Sequence, residues 1–248
     1  MYTTALLAQC RAEIKRTLRN RRFFIFSLMM PALFYFIFTG VVGDSMQIGG
    51  TDWKSYYLMS MTVYGVLGSS ITSLSSRLAA ERASGYIRLL RVSPLPSTVY
   101  VLSKLVSTLM VNAGIIVFMF LLGGLVKGVS MGWESWLACG LWIWAGSLPF
   151  MALGTLIGLI KNTDLVQVIA QLVYMGISVL GGLWFPKQAM NSTLQRIMEA
   201  LPSYRFGSGA WSLAAGHAVS LQSLLILCGY AVVFMVLSSY LNKRQEAI

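Results

Sequence analysis

Residues 105–126 read LVSTLMVNAGIIVFMFLLGGLV, a run without one Asp, Glu, Lys or Arg. A helix rises ~1.5 Å per residue, so about 20 apolar residues cross the ~30 Å hydrocarbon core of a bilayer. Five further runs are equally free of charge: 23–43, 56–76, 135–160, 165–186 and roughly 221–241. A charged side chain at mid-membrane costs roughly 2.5–3.5 kcal/mol on the insertion scale. Six such runs within 248 residues therefore read as membrane crossings and not as the cores of a soluble protein.

Composition agrees. The hydrophobic fraction is 56% and the charged fraction 11%, with a mean hydropathy of +0.70, whereas an ordinary soluble domain is about 25% charged. The six runs use half the chain, so a single membrane domain covering 1–248 is expected, with little left for a soluble catalytic unit.

The net charge of +11 is sorted between the runs. With the N-terminus placed inside and the runs alternating, the inner segments carry six Lys or Arg in 1–22, five in 77–104, Lys161, and the Lys243-Arg244 pair. The outer segments keep Lys54, Lys127, Lys187, Arg196 and Arg205, while the eight acids divide evenly. A Lys/Arg bias without an acid bias is the positive-inside pattern, so both termini are expected in the cytoplasm of a plasma (inner) membrane protein. The basicity is then topological, and no nucleic-acid partner is implied. Cys10, Cys139 and Cys228 are scattered and suggest neither a disulfide framework nor a metal site. The basic N-terminus followed by a run of spanning length reads as an uncleaved signal anchor.

Between the spans, residues 3–22 predict a helix lying in the interface. Leu6, Leu7, Cys10, Ile14 and Leu18 share one face, with Arg11, Lys15, Arg16, Arg19 and Arg22 on the other, towards anionic lipid headgroups. The second span is rich in hydroxyls, and Ser69, Ser73 and Ser76 share a face, either as helix-packing residues or as the wall of a hydrated path. Residues 77–91 predict a helix ended by Ser93-Pro94-Leu95-Pro96. Run 135–160 reads as one helix, with Gly154 and Gly158 as a close-contact step. Gln167 and Gln171 lie on one face of the fifth span. In the outer segment 187–220, Ser192 and Gln195 form a candidate capping box for one short amphipathic helix that Pro202 stops.

Several chemistries lack their residues. There is no GxxxxGK[ST] phosphate loop, no HExxH, and the one histidine, His217, has no obvious ligand partner. The acids lie at span edges, so a proton- or cation-driven carrier would lack its intramembrane carboxylate. Transport through this chain would have to draw its energy from a partner.

The inner stretch Ala80-Glu81-Arg82-Ala83-Ser84-Gly85-Tyr86-Ile87-Arg88-Leu89-Leu90-Arg91-Val92-Ser93-Pro94-Leu95-Pro96, followed by Ser103-Lys104, resembles the signature of type-2 ATP-binding-cassette (ABC) exporter permeases. Gly181-Gly182-Leu183-Trp184-Phe185-Pro186, with Leu201-Pro202 beyond it, resembles that family's second motif near its outer re-entrant helices. The resemblance implies an all-α polytopic permease with six transmembrane helices, an N-terminal interfacial helix, a cytoplasmic coupling segment at 77–97 and an outer amphipathic helix before the last span. It implies a second permease chain, identical or paralogous, and a separate ATP-binding subunit that holds ATP and Mg, with no cofactor bound by this chain. By the same likeness Glu81, Arg82, Gly85, Tyr86, Arg88, Leu89, Leu90 and Pro94 would couple to the ATPase. Helices 2 and 5 would line the translocation path with Ser69, Ser73, Ser76, Gln167, Gln171 and Tyr174, and Gly181, Gly182, Phe185 and Pro186 would form an outer gate. Arg11, Lys15 and Arg19 mark the interfacial helix. Hydroxyl-rich and aromatic walls suit an amphiphile such as a drug, lipopeptide or lipid. Polysaccharide or wall-polymer export, and a non-transporting sensor or immunity subunit, are the alternatives.

Overall fold

The computed structural model describes residues 2–19, 21–42, 47–86 and 97–246. It is helical almost throughout. Helix α1 (Tyr2–Arg19) leads into α2 (Arg21–Val42), which passes through Pro31. A two-residue hairpin pairs β1 (Gln47–Ile48) with β2 (Thr51–Asp52), antiparallel. Gly49 and Gly50 sit at φ +62° and +84° in its turn, as a two-residue hairpin loop requires.

Asp52 then caps α3 (Trp53–Gly68) by accepting from the Ser55 N–H. A π-helical turn, Ser69–Ser73, carries α3 into α4 (Leu74–Ala83), so one rod runs through the second charge-free stretch. Fourteen of the sixteen residues of α3 are buried, because α2, α5 and α10 surround it. Three hydroxyls of this rod bond the preceding turn: Ser60 donates to Tyr56 O at 3.1 Å, Thr62 to Leu58 O at 2.7 Å and Thr72 to Gly68 O at 2.6 Å. Ser70 instead accepts from Asn112 Nδ2 at 3.1 Å, and the buried Ser69 hydroxyl has no hydrogen-bond partner among the described residues. Helix α4 ends at Ala83, and Gly85, at φ +75°, turns the chain. The helix expected over 77–91 is thus interrupted at Ser84-Gly85, because the glycine takes a backbone conformation that ends a helix; residues 87–91 lie outside the described residues.

Helix α5 (Ser97–Leu121) continues through a second π turn, Leu122–Val126. The fourth run forms two helices, α6 (Trp133–Ala145) and α7 (Leu148–Gly158), and not the single one expected. Pro149 has no N–H to offer the Ala145 carbonyl, so the ladder breaks there. Ser147 Oγ takes up the slack on Trp144 O at 2.7 Å. Gly146 is required at the break, since a Cβ would lie 2.6 Å from the Phe206 ring. Gly154 and Gly158 let α7 press on the rod: a Cβ at Gly154 would stand 2.2 Å from Ser70 O, and one at Gly158 3.1 Å from Leu78 Cβ.

Helix α8 (Thr163–Leu180) is capped by Asn162 and ends on Gly182, φ +75°, after which Leu183 N–H returns to Ser178 O at 3.1 Å. The outer segment holds α9 (Ser192–Ala200) and α10 (Pro202–Ala214). The cap of α9 is Asn191, whose side chain accepts from Leu194 N–H at 2.9 Å. Gln195 instead donates to Met190 O and Lys187 O, so the Ser192–Gln195 box is corrected by one residue. Pro202 does more than stop a helix. It restricts Leu201 to an extended conformation and starts α10, a helix the sequence reading left out. Helix α10 packs into the bundle: Trp211 Nε1 donates to Ser60 Oγ at 2.9 Å, Trp142 Nε1 to Phe206 O at 2.8 Å, and Ser203 Oγ to Ile177 O at 2.6 Å. Lys187 pairs with Glu199 of α9, a contact that lowers the Glu199 carboxyl and raises the Lys187 ammonium from their ordinary pKa values. The last helix is α11 (Leu221–Glu246), packed on α7 and α10.

Among the described residues four helical segments are long and apolar enough to cross a membrane: Val99–Val126, Trp133–Gly158, Thr163–Leu180 and Leu221–Leu241. Ser27–Val41 is a shorter apolar helix. The α3–α4 rod is set apart by its hydroxyls, which lower its apolarity, several of them bonded to its own backbone. The chain is a multi-pass membrane protein.

Candidate functional site: a buried charge cluster beneath the helices

Three helices bring ionised groups together where α1 meets the ends of α4 and α5. Helix spacing puts Glu13, Arg16 and Thr17 on one side of α1, Arg77 and Glu81 on one side of α4, and Tyr100, Lys104, Ser107 and Thr108 on one side of α5. Lys104 is the hub. It is 1% exposed, its Nζ lies 2.7 Å from Glu13 Oε1, and it also pairs with Glu81 Oε1. Glu81, 2% exposed, further accepts from Arg16 Nη1 at 2.6 Å and from the Tyr100 hydroxyl at 2.6 Å. Arg77 reaches Thr17 Oγ1 and Thr108 Oγ1, each at 2.9 Å, and Thr17 meets Ser107 at 3.3 Å.

Two carboxylates thus share two cations, Lys104 and Arg16, while the neighbouring Arg77 rests on neutral hydroxyls, with its buried Nε left without a hydrogen-bond partner among the described residues. A buried charge survives only when paired and hydrogen-bonded, and here each acid meets both conditions. The arrangement ties α1 to the end of α4 and to the start of α5.

The residues expected to couple the chain to an ATPase are placed as follows. Glu81 faces inward, within the cluster. Arg82 also bonds inside the chain, its Nη1 donating to Leu159 O at 2.6 Å just past the end of α7. A guanidinium there meets the negative end of the helix dipole. Gly85 makes the turn, and the half-buried Tyr86 hydroxyl accepts from Gln9 Nε2 at 3.4 Å. Arg88, Leu89, Leu90 and Pro94 lie outside the described residues.

Of the residues expected to line helices 2 and 5, Tyr174 is buried and stacks on Tyr64, ring centroids 4.8 Å apart, with Gly68 leaving room for its ring. Ser69 and Ser73 are buried and Ser76 is half-buried, covered by α7 and α8. Gln167 and Gln171 are exposed, beside Leu165, Val168 and Leu172, while Val166, Ala170, Tyr174 and Ser178 form the buried face of α8. Within one chain, therefore, the serines and the glutamines do not meet. Just past the end of α8, Gly181 fits beneath Ser203, where a Cβ would approach Oγ to 2.2 Å. Trp184 packs on Phe34 at 4.6 Å and Tyr64 at 5.7 Å, and the exposed Phe185 meets Phe38 edge-on at 6.5 Å. Pro186 caps the short turn Lys187–Ala189.

Sequence reading missed the roles of Glu13, Arg16, Arg77 and Tyr100, and took Lys104 only as a motif residue. One signal was present: Glu13 is the single acid in a helix crowded with bases. The predicted apolar face of α1 also differs from the buried one, which is Cys10, Glu13 and Thr17, while Leu7 is exposed. The helix packs against the polar lower part of α5, so its inner face follows those partners and not hydrophobicity. Among the described residues no group of three His, Cys, Asp or Glu is placed to hold a metal ion.

Comparison with known proteins gives two matches. Residues 47–240 match the family described as ABC-2 family transporter protein. The chain is also 40% identical, over 243 residues, to a Bacillus subtilis (strain 168) protein whose name is that of a transport permease, YvfS. That alignment covers 98% of this chain and 99% of the relative.

Proposed function

This chain belongs to the ABC-2 family of transporter membrane proteins, and on that premise we propose that it is the membrane-spanning permease subunit of an ATP-driven exporter. In this reading the chain crosses the plasma (inner) membrane six times with both termini in the cytoplasm. A separate subunit binds and hydrolyses ATP with Mg, and a second permease chain, identical or paralogous, completes the transporter. The permease itself carries out no covalent chemistry.

The observation that carries the reading is the buried cluster of Lys104, Glu13 and Glu81. It joins three helices at the end from which the segment 77–97 leaves the bundle. An ATPase docked on the turn at Gly85-Tyr86 and the residues after it would push on a rigid body, because α4 is fixed to α1 and α5 by charge and to α7 by Arg82. Glu81 and Arg82 then act inside the chain by holding the docking segment, and the contact with the ATPase falls to the residues beyond them.

For the substrate, the exposed face of α8 is informative. Gln167 and Gln171 stand among Leu165, Val168 and Leu172, and an amide facing lipid tails loses its hydrogen bonds. A path shared with the second permease chain supplies the missing partners, and amides beside apolar side chains suit an amphiphile. The double variant Gln167→Leu/Gln171→Leu is expected to assemble with the ATPase normally but to lose about ten-fold in substrate-stimulated ATP hydrolysis, the equivalent of one hydrogen-bonded contact. A second reading, export of a polysaccharide or wall polymer, is favoured by the outer aromatic group Phe34, Phe38, Trp184 and Phe185, whose ring faces could carry sugars. ATPase stimulation of the reconstituted complex across amphiphiles and glycans decides between them. Stimulation by amphiphiles supports the first reading, and stimulation by glycans alone replaces it with the second.

A further inference from the structure

We propose that the exposed face of α1 is a binding site for anionic phospholipid headgroups, and that Arg16 links its occupancy to the buried charge cluster. Helix α1 has two faces of unlike chemistry. Cys10, Glu13 and Thr17 are buried towards α5. Arg11, Lys15 and Arg19 stand in an exposed row at four-residue spacing, with Leu7 69% exposed one turn before it. Among the described residues no carboxylate pairs with any of these three cations. The one acid of α1, Glu13, is turned inward and engaged by Lys104.

An unmatched row of cations beside an exposed leucine is complementary to a phosphate that carries acyl chains. Its position fits too, because α1 runs directly into the apolar α2, which places the row where a span leaves the hydrocarbon. Each Lys or Arg close to an anionic leaflet strengthens association about five-fold, so the row of three is worth about a hundred-fold.

Arg16 belongs to both sides. Its side chain is 62% exposed, yet Nη1 donates to the buried Glu81. Among the described residues Arg16 bonds only Glu81, and its exposed guanidinium can also meet a phosphate, so lipid and Glu81 draw on the same cation. Coupling of two binding events is reciprocal. Headgroup binding loosens the Arg16–Glu81 pair, and removal of the Glu81 charge strengthens headgroup binding.

The test uses the purified chain alone and so is independent of any ATPase or of the transport reading. The chain is placed in vesicles of equal parts phosphatidylcholine and phosphatidylglycerol, and its preference between the two lipids is read from the motionally restricted fraction of spin-labelled forms. The expected result is a preference for phosphatidylglycerol that falls about a hundred-fold, close to parity, in R11Q/K15Q/R19Q. It is expected to persist in K127Q/R196Q and in the presence of inorganic phosphate. Glu81→Gln is expected to raise the preference about five-fold. The site is refuted if R11Q/K15Q/R19Q keeps the wild-type preference, if K127Q/R196Q loses as much, or if inorganic phosphate competes equally. An unchanged preference in E81Q refutes the link through Arg16.

Discussion

Lys104→Met is expected to destabilise the chain by about 3–5 kcal/mol, the effect of removing one partner from a buried ion pair and leaving the other charge unmatched. Here two carboxylates lose their common partner at once, since Glu13 pairs with Lys104 at 2.7 Å and Glu81 shares the same ammonium. Neither acid can turn to water without unpacking α1 from α5. Arg16 still reaches Glu81 from the surface side, so Glu13 is the more exposed to the loss. Thermal unfolding of the purified chain reads the change. The triple variant Lys104→Met/Glu13→Gln/Glu81→Gln is expected to regain part of the stability, because the two unmatched carboxylates are gone while the Arg77 guanidinium stays charged on the Thr17 and Thr108 hydroxyls. In the reconstituted complex the same triple variant is expected to hydrolyse ATP without transport, since the rigid connection between the docking segment and the spans is gone. If Lys104→Met melts with wild type, the cluster holds nothing together.

The second large effect is expected at Gly154. A Cβ there would stand 2.2 Å from the Ser70 carbonyl oxygen and 3.2 Å from Ile71 Cα, and both are backbone atoms of the central rod. A flexible side chain could yield, as Leu58 could to a substituted Gly123. Backbone in a π-helical turn cannot yield without shifting the rod. Gly154→Val is therefore expected to cost about 2–4 kcal/mol, at the upper end of overpacking penalties, and to remove most folded protein from the membrane. Gly176→Val is the control, because a Cβ at Gly176 meets nothing within 4 Å. Recovery of folded protein on size-exclusion chromatography, compared for the two variants, separates a contact effect from the lower helix propensity of valine. Equal yields would mean that α7 does not need its close approach to the rod.

Much of the membrane architecture was legible because charge is so costly in lipid. The runs 105–126, 165–186 and 221–241 became α5, α8 and α11 with small changes at their ends. The small-residue step at Gly154 and Gly158 was also readable, since it depends on local spacing. The break at Gly146 was not, because a charge-free run carries no mark of where its ladder is interrupted. Pro149 was the available clue. Helix α10 was hidden for a related reason: Pro202 stops one helix and starts the next, and only its burial against Trp142 and Ser60 shows which role matters here. The charge cluster was the least legible. Glu13, Arg77 and Lys104 are far apart in sequence, and each looks like an ordinary solvated charge until α1 folds back on α5. Glu81 and Arg82 stood out through the family motif, but a motif does not say whether a side chain points to a partner subunit or into its own chain.

The central claim is that this permease moves its substrate only on energy supplied by a separate ATP-binding subunit. Uptake into inside-out vesicles containing the chain, with and without the partner ATPase and ATP, tests it most directly. Accumulation is predicted only when the chain, the ATPase and hydrolysable ATP are all present, and substrate accumulated against its gradient by the chain alone would contradict the account.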